Sequence, residues 1–244
     1  ELKTTLNWGN NAVNTYGGKF STVTSFSKSQ NGNNINAEIR IEPTNVILND
    51  SIWNIRPSYI SINDGDIDIN RFIFEHNNQH IIINGKLSNS SQDSCNIEMK
   101  NIDLRYLLDI VQFDDVKFSG MITGNVVLKN IMKSPDMYAL LDVEKFAVND
   151  AILGRADIKG VWDKDKNDIL IDAKMKDGQK YTNVTGFVSP KKSELDLHID
   201  AGGTNIALLS PFVKGIFSEI EGGIYGDVRL FGDFKHLDFE GEAK

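Results

Sequence analysis

The sequence predicts a mainly β protein, built as an extended antiparallel repeat sheet with two short helices. Three observations carry that prediction. Apolar residues alternate with polar ones at period two over most of the chain. Turn-forming pairs punctuate the alternation at short spacing. A constant offset of 102 positions relates the first half of the chain to the second.

In chain order, the alternating pairs begin with Ile39 and Ile41, then Ile67 and Ile69, and Ile97 and Met99. Ile122, Val126 and Leu128 continue them, followed by Ile158 and Trp162. Ile169, Ile171, Ala173 and Met175 form the longest series, and Leu195, Leu197 and Ile199 close it. Each series places its apolar side chains on one face of a strand. The turns between them are Asn31-Gly32-Asn33, Asp64-Gly65, Asn77-Asn78, Asn84-Gly85 and Asp177-Gly178. Asn84-Gly85 has a second reading as strand interior, because Ile83 and Leu87 carry the alternation across it. Strands of about 7–9 residues with no long helices between them indicate a meander rather than βαβ units.

Two segments break the period. Residues 101–111 place Leu104, Leu107, Leu108 and Val111 at helical spacing behind an Asp103 cap. Residues 205–213 do the same with Ile206, Leu209 and Val213, with Pro211 limiting the length. The offset of 102 joins them: Leu104 maps to Ile206, Leu107 to Leu209 and Val111 to Val213. Gly120, Gly124, Val126 and Leu128 then map to Gly222, Gly226, Val228 and Leu230 without a gap. The chain therefore divides into a first repeat unit at 1–100, a second at 101–203 opening on the helix, and the start of a third at 204–244. The start, Glu1-Leu2-Lys3-Thr4, carries neither an initiating methionine nor a signal sequence, and residues 239–244 still read as strand. A segment of a longer array is the expectation.

Composition narrows the function. The 244 residues hold 34 acidic and 26 basic side chains, a net charge of −8. That balance argues against nucleic acid as a partner, since such surfaces carry a basic footprint. The single cysteine, Cys95, excludes an internal disulfide framework and a thiolate zinc cluster. Apolar runs such as Ile81-Ile82-Ile83 are far too short to span a bilayer. Such a sheet needs its apolar face covered, and two short helices cannot do so. It folds either into a packed core or into a curled trough whose lining meets a ligand, and periodicity does not separate the two.

No catalytic or metal constellation stands out. His76 and His80 follow Glu75 at a spacing that shares a face only on a helix, whereas Asn77-Asn78 makes this a hairpin. Asp64-Gly65-Asp66-Ile67-Asp68 and Asp163-Lys164-Asp165-Lys166-Asn167-Asp168 bunch carboxylates but lack the ligand order of an EF-hand. Solvated hairpins are the plainer reading. The two GxxxG strings sit in no apolar twenty-residue stretch and precede no helix, so they are neither membrane-dimer nor phosphate motifs. Their glycines suit strand bending or close backbone approach. No cofactor is expected.

Two related strings carry a family resemblance. They read Phe118-Ser119-Gly120-Met121-Ile122-Thr123-Gly124-Asn125-Val126-Val127-Leu128 and Ile220-Glu221-Gly222-Gly223-Ile224-Tyr225-Gly226-Asp227-Val228-Arg229-Leu230. With the short helix before each, they resemble the repeated pattern of the TamB family within the AsmA-like group of Gram-negative envelope proteins. Tyr181-Thr182-Asn183-Val184-Thr185-Gly186-Phe187-Val188 and His80-Ile81-Ile82-Ile83-Asn84-Gly85-Lys86-Leu87 resemble its N-x-V-x-G-x-V strand. The chain departs from the pattern at Gly232-Asp233-Phe234-Lys235-His236, which lacks the expected proline, and at Lys129-Asn130, where glycine is typical.

The resemblance implies a β-taco-like groove in the periplasm, part of a protein anchored in the inner membrane through a segment outside this chain. It implies phospholipid acyl chains and an Omp85-class outer-membrane protein as partners, roles in lipid transport or outer-membrane protein assembly, and no enzyme activity. If the alternating apolar positions face the groove, its lining is Ile122, Val126, Leu128, Leu141, Val143, Ile158, Trp162, Ile169, Ile171, Val184, Val188, Leu195, Leu197, Ile199, Ile224, Val228 and Leu230. Each methylene kept from water is worth ~0.8 kcal/mol, so moving a sixteen-carbon chain through water costs on the order of 10 kcal/mol, most of which a continuous apolar lane removes. The alternatives are a β-sandwich or β-solenoid binding module with a filled core that docks a protein or glycan, and a glycan-active enzyme with paired carboxylates.

Overall fold

The computed structural model describes residues 1–10, 16–29, 34–108, 117–131, 133–149, 151–210 and 221–244. It is almost entirely antiparallel β-sheet. The chain divides into two compact units, Glu1–Asn101 with Asn125–Asp136, and Ile102–Gly124 with Met137–Lys244.

The first unit is a meander of β1 (Leu2–Gly9), β2 (Gly17–Lys28), β3 (Ile35–Ile41), β4 (Thr44–Leu48), β5 (Ser51–Ile55), β6 (Ser58–Asn63), β7 (Asp66–His76), β8 (Gln79–Leu87) and β9 (Ser94–Asp103). β3 and β4 are halves of one run, both paired with β2 and parted at Glu42-Pro43. β5 and β6 are likewise parted at Arg56-Pro57, and both pair with β7. Proline has no N–H for the ladder, so each run breaks there. The irregularity continues into β7, where the register with β8 shifts between Ile69 and Phe72 and Arg71 adopts φ +49°. The tight turn at Asn49-Asp50 has both residues at positive φ, the requirement of a hairpin turn that matches strand twist. Trp53 is 1% exposed and stacks on Phe74 with ring centroids 4.8 Å apart, beside buried Val46 and Ile55.

The second unit holds α1 (Leu104–Leu108) and residues 118–124 of β10 (Phe118–Lys129). They are followed by β11 (Asp136–Val148), β12 (Ala151–Asp163), β13 (Asp168–Asp177), β14 (Lys180–Ser189), β15 (Glu194–Asn205), β16 (Gly223–Asp233) and β17 (His236–Ala243). From β11 to β17 each strand pairs with the next. A single 3₁₀ turn, Ile206–Leu209, follows β15. β12 and β15 approach to within 8 Å between Cα atoms although two strands separate them in pairing order, so the sheet curls.

The offset seen in the sequence recurs in the backbone. Asn101 and Gly203 both take positive φ (50° and 80°), two residues before a cap. Asp103 Oδ1 accepts the N–H of Arg105 at 3.0 Å, and Asn205 Oδ1 accepts that of Ala207 at 3.0 Å. Gly120 and Gly222 have φ 143° and 133°, and Gly124 and Gly226 have φ 156° and 141°. A Cβ at Gly124 would overlap the carbonyl oxygen of Leu140, so this glycine is where β10 approaches its neighbour's backbone.

Some elements differ from the sequence expectation. The helix expected over 101–111 begins at Leu104, because β9 runs to Asp103, and its expected end at Val111 lies outside the described residues. That expected over 205–213 is a 3₁₀ turn, since β15 extends to Asn205 and Ser210 Oγ donates to the carbonyl of Ala207 at 2.6 Å; Val213 is not among the described residues. Asn84-Gly85 is strand interior within β8, with Gly85 opposite both Ile69 and Cys95. The Asn31-Gly32-Asn33 turn falls outside the described residues.

Candidate functional site: an apolar trough in the second unit

Antiparallel register puts directly opposed residues on the same face of a sheet, so the pairings of the second unit can be read across as rows. One row runs Leu141, Ile158, Ala173, Val184, Ile199, Val228 and Gly241. The next runs Ala139, Gly160, Ile171, Gly186, Leu197, Leu230 and Phe239. A third runs Trp162, Ile169, Val188, Leu195, Gly232 and Leu237. On the other side of the first lies Val143, Ala156, Met175, Thr182, Ala201 and Gly226. These four rows contain no charged residue. The opposite face contains the charges, as in the row Asp142, Asp157, Lys174, Asp200, Asp227 and Glu242, with uncharged Asn183 between Lys174 and Asp200.

Burial differs between the rows. Val143, Ala156, Met175, Thr182 and Ala201 are all at most 4% exposed. Leu141, Ile158, Val184 and Ile199 in the next row are half-buried, as are Ile171, Leu197 and Leu230 beyond them, and Trp162, Ile169 and Val188. One margin of the face is therefore closed, while the rest mixes buried positions (Ala139, Ala173, Leu195 and Val228) with the part-exposed side chains named above. Most of the expected lining residues share this face. Ile224 joins it by packing with Ala201 and Val228. Ile122 is 2% exposed within the same unit. Val126 and Leu128 belong to the first unit and are half-buried there.

The expected lining left out Ala139, Ala156, Gly160, Gly186 and Ala201, and also Ala173 and Met175, although these last two stand in the alternating series of β13. Alanine and glycine carry little hydrophobic signal, yet their even-numbered distance from Ile158, Ile169 and Ile199 along each strand was readable. Apart from Val126 and Leu128, the expected lining also left out the first unit. There the register aligns Thr24, Ile39, Ile60, Ile69, Gly85 and Cys95 on one face, and Phe26, Ala37, Ile62, Ile67 and Leu87 on the same face beside them.

The outer face is held by ion pairs. Arg229 donates Nε to Asp196 Oδ1 and Nη2 to Asp196 Oδ2, both at 2.8 Å, and Nη1 to Glu240 Oε1 at 2.9 Å. The Arg229 hydrogen bonds hold the Asp196 carboxyl below the usual aspartate range. In the first unit Lys86 bridges Asp66 at 2.9 Å and Asp93 at 3.3 Å. Cys95 is 1% exposed, and burial pushes its thiol up, away from a reactive thiolate.

The residues with metal-like spacing have separate partners. His76 Nδ1 lies 2.7 Å from the Ile52 carbonyl oxygen and His80 Nε2 lies 3.0 Å from Glu98 Oε1. Asp163 Oδ1 accepts the N–H groups of Asp165 and Lys166, closing a hairpin turn. Among the described residues no group of three or more His, Cys, Asp or Glu side chains is arranged to hold a metal ion. Among them too, no helix is long and apolar enough to cross a membrane.

Fold and site together define an almost entirely antiparallel β protein whose second unit carries an uncharged, apolar sheet face. The chain matches no known protein family, no curated protein and no solved structure.

Proposed function

We propose that this chain is a non-enzymatic segment of a TamB/AsmA-like envelope protein whose trough holds or conducts phospholipid acyl chains. The observation that carries the reading is the set of uncharged cross-strand rows from β11 to β16, whose large aliphatic members Leu141, Ile158, Ile171, Val184, Leu197 and Leu230 are only half-buried. A lane needs neighbouring sites of near-equal affinity, and rows of aliphatic side chains at ~4.8 Å strand spacing supply them. In this reading the protein lies in the periplasm of a Gram-negative bacterium, is anchored in the inner membrane through a part of the protein outside this chain, and works with an Omp85-class outer-membrane protein. Lipid transport between the membranes, outer-membrane protein assembly, or both, are its roles.

Photo-crosslinking amino acids at Ile171 and Val228 in the full-length protein in cells test this. Lipid adducts are expected there and not at the outward position Asp172. Adducts confined to Asp172 sink the proposal. The fully buried row Val143, Ala156, Met175, Thr182 and Ala201 favours a second reading, a filled-core module that docks a protein or glycan on its polar face. That reading gains if Ile171 and Val228 capture no lipid while the outer face captures protein.

A further inference from the structure

β15 does not simply end; it turns into the trough. Its register with β16 shifts between Gly202 and Thr204, and Gly203 sits at φ +80°. The Asn205 side chain then caps the turn. This re-aims the chain over the apolar face, where Ile206 and Leu208 pack against buried Ala201, Ile224 and Val228. The turn also reaches the other wall. It contacts β12, and Asn149 Nδ2, at the β11–β12 hairpin, donates to the carbonyl of Leu208 at 3.2 Å. A four-residue turn that touches both β12 and β16 lies across the inside of the curl.

Resting on the acyl-chain reading above, we propose that the 3₁₀ turn Ile206–Leu209 is a bulkhead in the trough. It occupies the space an acyl chain would take, is latched to the opposite wall by Asn149, and is displaced when a chain passes. Among the described residues it is fastened by the Asn149 latch, the Asn205 cap, the Ser210 hydroxyl donated to the Ala207 carbonyl, the Ile206 N–H donated to the Gly222 carbonyl at 3.1 Å, and the packing of Ile206 and Leu208. A segment with no strand ladder of its own opens more readily than the strands beneath it. The trough is thereby divided into compartments, and passage between them is set by opening of the turn rather than by the lane alone.

The latch can be cut without disturbing the hairpin. Asn149 sits at φ +50° and its Oδ1 accepts the N–H of Lys117 at 2.9 Å. Asn149→Asp keeps that acceptor and tolerates the backbone conformation, but loses the donor to Leu208. Loss of one such hydrogen bond should raise the open population, and the loading rate of a polyene fluorescent fatty acid into the purified chain, about fivefold. In the native chain, loading should speed hydrogen exchange at the Ile206 amide, whose bond to the Gly222 carbonyl ties the turn to the chain before β16. Probe binding with unchanged loading in Asn149→Asp and unchanged protection at Ile206 overturns the bulkhead while leaving the acyl-chain reading standing. Probe binding to neither the native chain nor Asn149→Asp overturns both. Binding to the variant alone supports the bulkhead.

Discussion

Replacing Gly186 by alanine should destabilise the second unit far more than the same change at Gly178, although both glycines take a positive φ. Gly186, in the middle of β14, has φ +148°, and a Cβ there would overlap the carbonyl oxygen of Asp196 and lie 2.9 Å from the Cα of Leu197. Both atoms are backbone of β15, which cannot swing aside as a side chain would. The backbone conformation alone costs about 1–3 kcal/mol for a residue with a Cβ. Forcing β14 and β15 apart at the Gly186–Leu197 pair adds about 1–3 kcal/mol. Gly178, in the β13–β14 turn, has φ +63°, and a methyl group there would meet no heavy atom within 4 Å, so Gly178→Ala costs about 1 kcal/mol. Urea unfolding followed by tryptophan fluorescence, with Trp162 in the affected unit, measures both. A loss for Gly186→Ala at least twice that for Gly178→Ala is expected. Equal losses would refute the close approach of the β14 and β15 backbones at the Gly186–Leu197 pair.

Three further outcomes follow from the same geometry. Thr182 and Thr204 are buried and share a 2.7 Å hydroxyl contact, and Thr204 Oγ1 donates to the Tyr181 carbonyl at 3.0 Å; Thr204→Val should cost about 1–3 kcal/mol in urea unfolding, and adding Thr182→Val should recover part of the loss. Val143 is 0% exposed and Ile171 is half-buried, so Val143→Asp should cost several kcal/mol and lose the β signature in circular dichroism, whereas Ile171→Asp should keep it and abolish fatty-acid binding. The lowered pKa of Asp196 adds stability that is complete above the unfolded aspartate value of 3.8 and is lost as pH falls through the folded value; Asp196→Asn should flatten the acid limb of the stability curve below pH 3.8 without altering its shape near neutrality.

The strands were legible because their alternation is strong: Ile169, Ile171, Ala173 and Met175 lie on one face of β13, with Leu170, Asp172 and Lys174 on the other. The faces needed no structure, since period two fixes them once a strand is assigned. What the alternation cannot carry is a local change of phase. The bulge between Gly202 and Thr204 re-aims the chain after it, and nothing in the pattern of Ile199, Ala201 and Gly203 announces the turn into the trough. The breaks at Pro43 and Pro57 were not among the sequence expectations, and the pairing reveals that both interrupt neighbouring runs of one sheet. The candidate lining was legible at its large aliphatic members and not at Ala156, Gly160 or Ala201, whose role depends on what stands opposite them. Burial was the least legible property. Val143 and Leu141 are two apart on the same face, yet one is sealed and the other half-buried, a difference that period two does not carry.

The sharpest test of the trough is a residue-by-residue photo-crosslinking scan along β13 in the full-length protein in cells, from Ile169 to Met175. Lipid adducts at period two are expected, strong at Ile169 and Ile171 and absent at Leu170, Asp172 and Lys174. Adducts in the opposite phase, equal at every position, or absent from all of them would contradict an acyl-chain lane on this face.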